Sequence, residues 1–256
     1  MEIPIPEIVR CAPFDRCLAA IGEQVEKVIG EAIADHGSCT IALAGGTTPA
    51  PLYRLLASPP WLTRIPWAKV RFFFGDERCV PPEHPESNFG MARKHLLAQL
   101  PIVEEQVFRM PGEIRPYAAA ARHYQQTMAK AFAVLTGREQ PFAAGEYPAF
   151  DLILLGMGMD GHTASLLPGN PVLNRLDWVA EVGGEGADPA VPRLTFTLPV
   201  INNARTVMFL VSGAEKIRLA DAVLAAPPQS RFPASLVRPR HRLLWYLAGE
   251  NLMESQ

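Results

Sequence analysis

Residues 150–162 read Phe150-Asp151-Leu152-Ile153-Leu154-Leu155-Gly156-Met157-Gly158-Met159-Asp160-Gly161-His162. The first six form a short, almost continuous apolar run, the mark of a strand buried on both faces, and it runs straight into glycine. The same pattern occurs upstream. Residues 39–44 are a second apolar run that stops at Gly45-Gly46, and residues 70–74 are a third, followed by Gly75-Asp76-Glu77-Arg78. Helical patterns lie between these runs. Phe14, Leu18, Ile21, Val25, Val28, Ile29 and Ala32 recur at helical spacing, which predicts a helix over 14–36 ending at Gly37. A helix is expected near Pro49, capped by Thr47 or Thr48, and others over 87–97, 117–135 and 215–224. Residues 194–198, 207–211 and 243–247 read as further strands, and 137–149 as a surface loop.

Strands alternating with helices predict an α/β protein: a three-layer, Rossmann-like, mostly parallel sheet with helices on both faces, in one domain over residues 1–256. In such sheets ligands sit beyond the carboxyl ends of the strands. Four loops fall there, 45–48, 75–80, 156–165 and 212–216, and they are expected to form one composite pocket.

Composition narrows the function classes. With 48% apolar and 20% charged residues the chain is an ordinary folded protein, which excludes disorder as its main state. A net charge of −2 leaves no global cationic field for nucleic acid or a membrane surface, so any phosphate must be held locally. No apolar stretch approaches the ~18 residues of a membrane span, and a cytoplasmic protein is expected. Cys11, Cys17, Cys39 and Cys79 include no Cys-x-x-Cys pair, so unpaired thiols are expected in place of a disulfide framework or zinc ribbon.

The loops carry the chemistry. Gly45-Gly46-Thr47-Thr48 offers backbone N–H groups and hydroxyls at a strand-to-helix turn, which suits a phosphate, or serves only as a turn that needs glycine. It lacks the lysine of a nucleotide-triphosphate loop. Residues 156–161 satisfy Gly-x-Gly-x-x-Gly with Glu181 twenty residues beyond, yet Pro168, Gly169 and Pro171 interrupt the stretch where a crossover helix must run, so a dinucleotide site is rejected. His162 stands beside Asp160 in a strand-end loop, and an imidazole, with an ordinary pKa of about 6.5, can take a proton from water near neutrality. A lone histidine is also often structural. No Gly-x-Ser-x-Gly elbow and no metal-binding histidine spacing is present, so neither a serine-hydrolase triad nor a metal site is expected. Arg78, Arg193 and Lys216 are the cations placed to neutralise a phosphate dianion, or else they are solvated surface charges.

Taken together, Ala44-Gly45-Gly46-Thr47-Thr48-Pro49, Gly75-Asp76-Glu77-Arg78-Cys79-Val80-Pro81 with Ser87-Asn88-Phe89, the run from Leu155 to Leu166, Arg193-Leu194-Thr195 with Ile201-Asn202-Asn203-Ala204, and Ser212-Gly213-Ala214-Glu215-Lys216 resemble the 6-phosphogluconolactonases, on the glucosamine-6-phosphate deaminase and ribose-5-phosphate isomerase type of fold. The aminosugar-phosphate deaminases carry an acid five positions after the loop histidine, where this chain has Leu167. The resemblance implies hydrolysis of 6-phospho-D-glucono-1,5-lactone without metal or organic cofactor. It implies His162 as base, Asp160 orienting it, Arg78 or loop N–H groups on the oxyanion, and Asp76 on a sugar hydroxyl. Gly45, Gly46, Thr47, Thr48, Arg193 and Lys216 would hold the phosphate. The expected partner is this small lactone, with no nucleic acid and no membrane, and the chain is expected to act as a monomer or weak homodimer. Residues 137–149 and 183–192 are the candidate closing loops.

Overall fold

The computed structural model describes residues 4–11, 14–185, 189–225, 227–229 and 231–249. In chain order the elements are β1 (Glu7–Cys11), α1 (Phe14–His36), β2 (Cys39–Leu43), α2 (Ala50–Leu56), α3 (Trp61–Arg64), β3 (Val70–Phe74), β4 (Asp76–Arg78), α4 (Asn88–His95) and α5 (Tyr117–Thr136). They continue as β5 (Leu152–Leu155), β6 (Val179–Val182), β7 (Arg193–Phe196), α6 (Leu198–Asn202), β8 (Thr206–Ser212), α7 (Ala214–Ala225) and β9 (Arg242–Ala248). Six strands form one sheet in the order β1-β9-β8-β5-β2-β3, and every pairing in it is parallel. β4, β7 and β6 form a second, antiparallel sheet of three strands.

The apolar runs became strands because a parallel sheet covered on both faces has no place for exposed side chains. All residues of β2, β5 and β8 are buried. Right-handed crossovers then distribute the helices. The steps from β1 to β2 and from β2 to β3 run one way along the sheet and put α1 and α2 on one face, where they contact each other. The steps from β3 to β5 and from β8 to β9 run the other way and put α5 and α7 on the opposite face. An aromatic cluster anchors α5: Phe73 stacks on Phe108 at 4.6 Å and meets Phe150 edge-on at 5.2 Å, and Phe132 of α5 meets Phe150 at 4.9 Å. Each buried ring contributes about 1.5–3 kcal/mol relative to exposure.

The chain leaves β2 toward β3 and leaves β5 toward β8, so the adjacent strands β2 and β5 diverge at a topological switch point. A crevice opens there, at the carboxyl ends, and the 45–48 and 156–162 loops flank it.

Three sequence expectations change. Residues 76–78 form a strand, because their backbone pairs with 193–195 of β7 while their polar side chains carry no apolar alternation. Neither Thr47 nor Thr48 caps α2: Pro49 occupies the cap position in helical conformation without a side-chain hydrogen bond. Cys11 and Cys17 are joined by a disulfide, since the end of β1 and the first turns of α1 bring their Cα atoms to 5.3 Å. Cys39 and Cys79 are free thiols.

Candidate active site

The crevice at the switch point has two adjoining compartments of ≈ 510 and ≈ 450 Å³, which share Gly46, Thr47, Thr48, Arg78, Asn88 and Lys216. The inner one adds Gly45, Asp76, Gly156, Met157, Gly158, His162, Ala164 and Arg193. All ten residues singled out from the sequence except Asp160 therefore line one cavity system, and Asp160 is bonded to a residue that does.

The loop after β5 presents the histidine. Gly158 N–H donates to the His162 carbonyl at 2.9 Å and Gly161 N–H to the Gly158 carbonyl at 3.1 Å, closing a small ring. Gly161 holds φ +81°, a conformation open to glycine. At Gly158 a Cβ would fall on the imidazole of His162, so glycine is required for that ring position. Asp160 Oδ1 lies 2.6 Å from His162 Nδ1 and accepts the His162 backbone N–H at 3.1 Å. Burial works to raise the Asp160 carboxyl, but the donated His162 N–H groups and the attraction of the ring hold it below the usual carboxylate range. With Nδ1 engaged, Nε2 is the nitrogen left for chemistry. Side-chain exposure of 29% lets that ring meet a ligand.

Opposite stands β4, whose alternation brings Asp76 and Arg78 to the cavity. Asp76 is buried, and its Oδ2 accepts the Ser165 hydroxyl at 2.7 Å while Oδ1 accepts Asn88 Nδ2 at 3.0 Å. Asn88 packs so closely on Gly45 that a Cβ there would overlap its amide. Arg78 Nη1 donates to the Glu86 carbonyl at 2.7 Å, and its Nε is buried without a partner. Arg193, on β7, is buried at 3% exposure and lines the inner compartment but not the outer one. Lys216, in the first turn of α7, is half-buried, and desolvation lowers its ammonium pKa, so an anion placed there would offset the lost hydration by favouring the charged form.

The sequence reading assigned no role to Asn88 and Ser165, although both stand in its motifs, and it missed Arg54 and His95 of the outer compartment. Those two lie singly on α2 and α4 and become neighbours only because the helices pack together. Burial, followed by the charges of Arg54 and Lys94, lowers the His95 pKa. Glu181, the acid a dinucleotide fingerprint would need, lies on β6 within 3.8 Å of Arg175, and residues 156–170 contain no helix. The 137–149 loop lines a separate cavity of ≈ 770 Å³ with α5 and Trp178 and gives no residue to the crevice. Within 183–192, residues 186–188 lie outside the described ones. Leu167 is buried in the core. Among the described residues no cluster of three His, Cys, Asp or Glu side chains is arranged to hold a metal ion, and no helix is long and apolar enough to cross a membrane.

Residues 14–245 match the family described as glucosamine-6-phosphate isomerases/6-phosphogluconolactonase. A 6-phosphogluconolactonase of Synechocystis sp. is 43% identical over 244 residues, covering 93% of each chain. The crystal structure of 6-phosphogluconolactonase from Thermotoga maritima superposes with a TM-score of 0.80 at 28% identity, covering 95% of this chain and 99% of that one. A monomeric glucosamine-6-phosphate deaminase superposes at 0.76 with 19% identity over 95% and 97% of the two chains, a likeness of fold alone.

Proposed function

We propose that this chain, which belongs to the glucosamine-6-phosphate isomerase/6-phosphogluconolactonase family, hydrolyses 6-phospho-D-glucono-1,5-lactone to 6-phosphogluconate. One observation carries the mechanism: the Asp160–His162 pair, at 2.6 Å, opens on a cavity that also holds two arginines, a buried aspartate and a half-buried lysine. His162 Nε2 removes a proton from water as the oxygen attacks C1, and Asp160 fixes the tautomer and steadies the imidazolium. Negative charge grows on the carbonyl oxygen only as the tetrahedral intermediate forms. Arg78, with its unpartnered buried Nε, and Arg193 stabilise it there. When the intermediate collapses, the C1–ring oxygen bond breaks and the imidazolium returns its proton to the departing oxygen. Asp76 holds a sugar hydroxyl.

The phosphate lies where the compartments meet, against Gly46, Thr47, Thr48 and Lys216. Binding it there, away from the reacting carbon, orients the lactone for attack. Arg193 differs from its sequence assignment: it lines only the His162 compartment, so we place it beside the reacting lactone. The deaminase chemistry of the same fold wants an acid at the position of Leu167, which here is buried and apolar.

The test generates the lactone in place from glucose 6-phosphate with a dehydrogenase and follows 6-phosphogluconate formation with and without the protein. Acceleration above the spontaneous rate, lost in His162→Ala, is the expected result. A folded protein that gives no acceleration overturns the reading, and ammonia release from glucosamine 6-phosphate would replace it.

A further inference from the structure

Strand β4 alternates, so the residue between Asp76 and Arg78 points away from the crevice. That residue is Glu77, buried at 2% exposure. Its carboxylate accepts four hydrogen bonds. Oε1 receives the backbone N–H of Arg78 at 2.8 Å and of Asn88 at 2.7 Å, and Oε2 receives the backbone N–H of Phe89 at 2.8 Å and the Ser87 hydroxyl at 3.1 Å. Asn88 and Phe89 open α4, whose first N–H groups have no partner within the helix, and Ser87 is its N-cap, accepting the Gly90 N–H at 3.0 Å. One carboxylate therefore joins the strand to the helix ten residues later. Three of the four residues it grips, Arg78, Ser87 and Asn88, line the crevice, and Asn88 in turn holds Asp76 through Nδ2.

We propose that ionised Glu77 is a positioning residue: by accepting from Arg78, Ser87, Asn88 and Phe89 it fixes the β4–α4 connection and thereby aims Asp76, Arg78 and Asn88 at the substrate. The proposal rests on the lactonase reading and adds a residue that touches no substrate. Only the carboxylate can do this, because three of the four groups facing it are backbone N–H groups, which donate and cannot accept. A proton on Oε1 sets donor against donor at the Arg78 and Asn88 N–H groups, and a proton on Oε2, or the NH2 of an amide there, does so at the Phe89 N–H.

The charged and titratable groups facing Glu77 come from several elements. Asp76, Arg78 and Cys79 flank it along the chain, Arg109 approaches from the segment before α5, Tyr124 from α5, and Arg193 stands one register position away on β7. The first turn of α4, Asn88 to Gly90, brings none. Burial pushes the Glu77 carboxyl up to about 7 against the three donated backbone N–H groups, with Asp76 pushing the same way. The ionised clamp is thus lost as pH falls below neutrality.

The experiment measures kcat against pH for the wild type and Glu77→Gln. In the wild type, protonation of Glu77 opens the clamp and should add a group with a midpoint near 7 to the acid limb of kcat. In Glu77→Gln kcat should be roughly 10²-fold lower at about pH 8 while KM changes less, and the group with a midpoint near 7 should be missing from its acid limb. A variant with wild-type kcat at about pH 8, or one whose acid limb keeps the group assigned to Glu77, overturns the proposal. Should Glu77→Gln fail to fold, an amide NMR titration of the wild type decides: the Arg78, Asn88 and Phe89 resonances should move together with one midpoint near 7. Amide resonances that do not move with the titration of the Glu77 carboxyl carbon itself overturn it. A wild type without lactonase activity would sink the functional reading, and the amide titration would still judge the clamp.

Discussion

The body of the six-stranded sheet and the polar layer over its carboxyl edge are built on opposite rules. In the body, β2, β5 and β8 are buried throughout and almost wholly apolar, and Phe73, Phe108, Phe132 and Phe150 interlock at ring spacings of 4.6 to 5.6 Å. In the polar layer, Asp76, Glu77, Asn88, Ser165 and Arg193 are buried as deeply as the core, yet each is held by directed hydrogen bonds. Burial is common to both. The body gains stability from it, because apolar area leaves water without leaving a bond unmade. The layer spends some of that stability to hold charged groups in fixed directions.

His162→Ala should lower kcat by roughly 10²–10⁴-fold, measured above the spontaneous rate, and leave the unfolding midpoint in place, since the ring is partly exposed. Phe73→Ala should do the reverse. It should cost about 3–5 kcal/mol in denaturant unfolding while the folded fraction keeps its kcat. Gly158→Ala tests the layer's geometry alone: the new Cβ displaces the imidazole, and kcat should fall by roughly 10²-fold at nearly unchanged stability. Lys216→Ala should raise KM about tenfold, near 1.4 kcal/mol, with kcat little altered; an unchanged KM would remove it from the phosphate site.

The smallest effect concerns the stability that the layer gives up. Glu77 is raised from 4.5 to about 7, so the folded chain holds this proton more tightly than the unfolded one. Its contribution to folding is complete below the ordinary carboxylate range and is lost as pH rises through about 7. Glu77→Gln should therefore flatten the fall in thermal stability across that window, and a wild-type slope retained by the variant would place the ionisation elsewhere.

Legibility followed the same division. β2, β3, β5, β8 and β9 stand within one or two residues of the apolar runs, because burial on both faces writes itself into composition. β4 was hidden, since a strand made of Asp76, Glu77 and Arg78 reads as a polar loop until β7 pairs with its backbone. β1 and β6 were missed too, as an edge strand and a four-residue strand with little pattern of their own. Of the site, the glycine loops, His162, Asp160, Arg78, Arg193 and Lys216 were legible because each stands at a strand end or helix start. Arg54 and His95 were not, because helix packing alone makes them neighbours.

By itself the amino-acid sequence determined the alternation of strands and helices, the loops at which polar groups gather, and the histidine–aspartate pair, all of which depend on residues close together in the chain. The tertiary structure decided that β2 and β5 are neighbours that part in opposite directions, which opens the crevice, and that Glu77 turns from the crevice to close on the start of α4. Those facts join residues 10 to 111 positions apart. Local propensity carries no information over such separations; only burial and hydrogen-bond satisfaction in the folded chain select which of the possible partners meet.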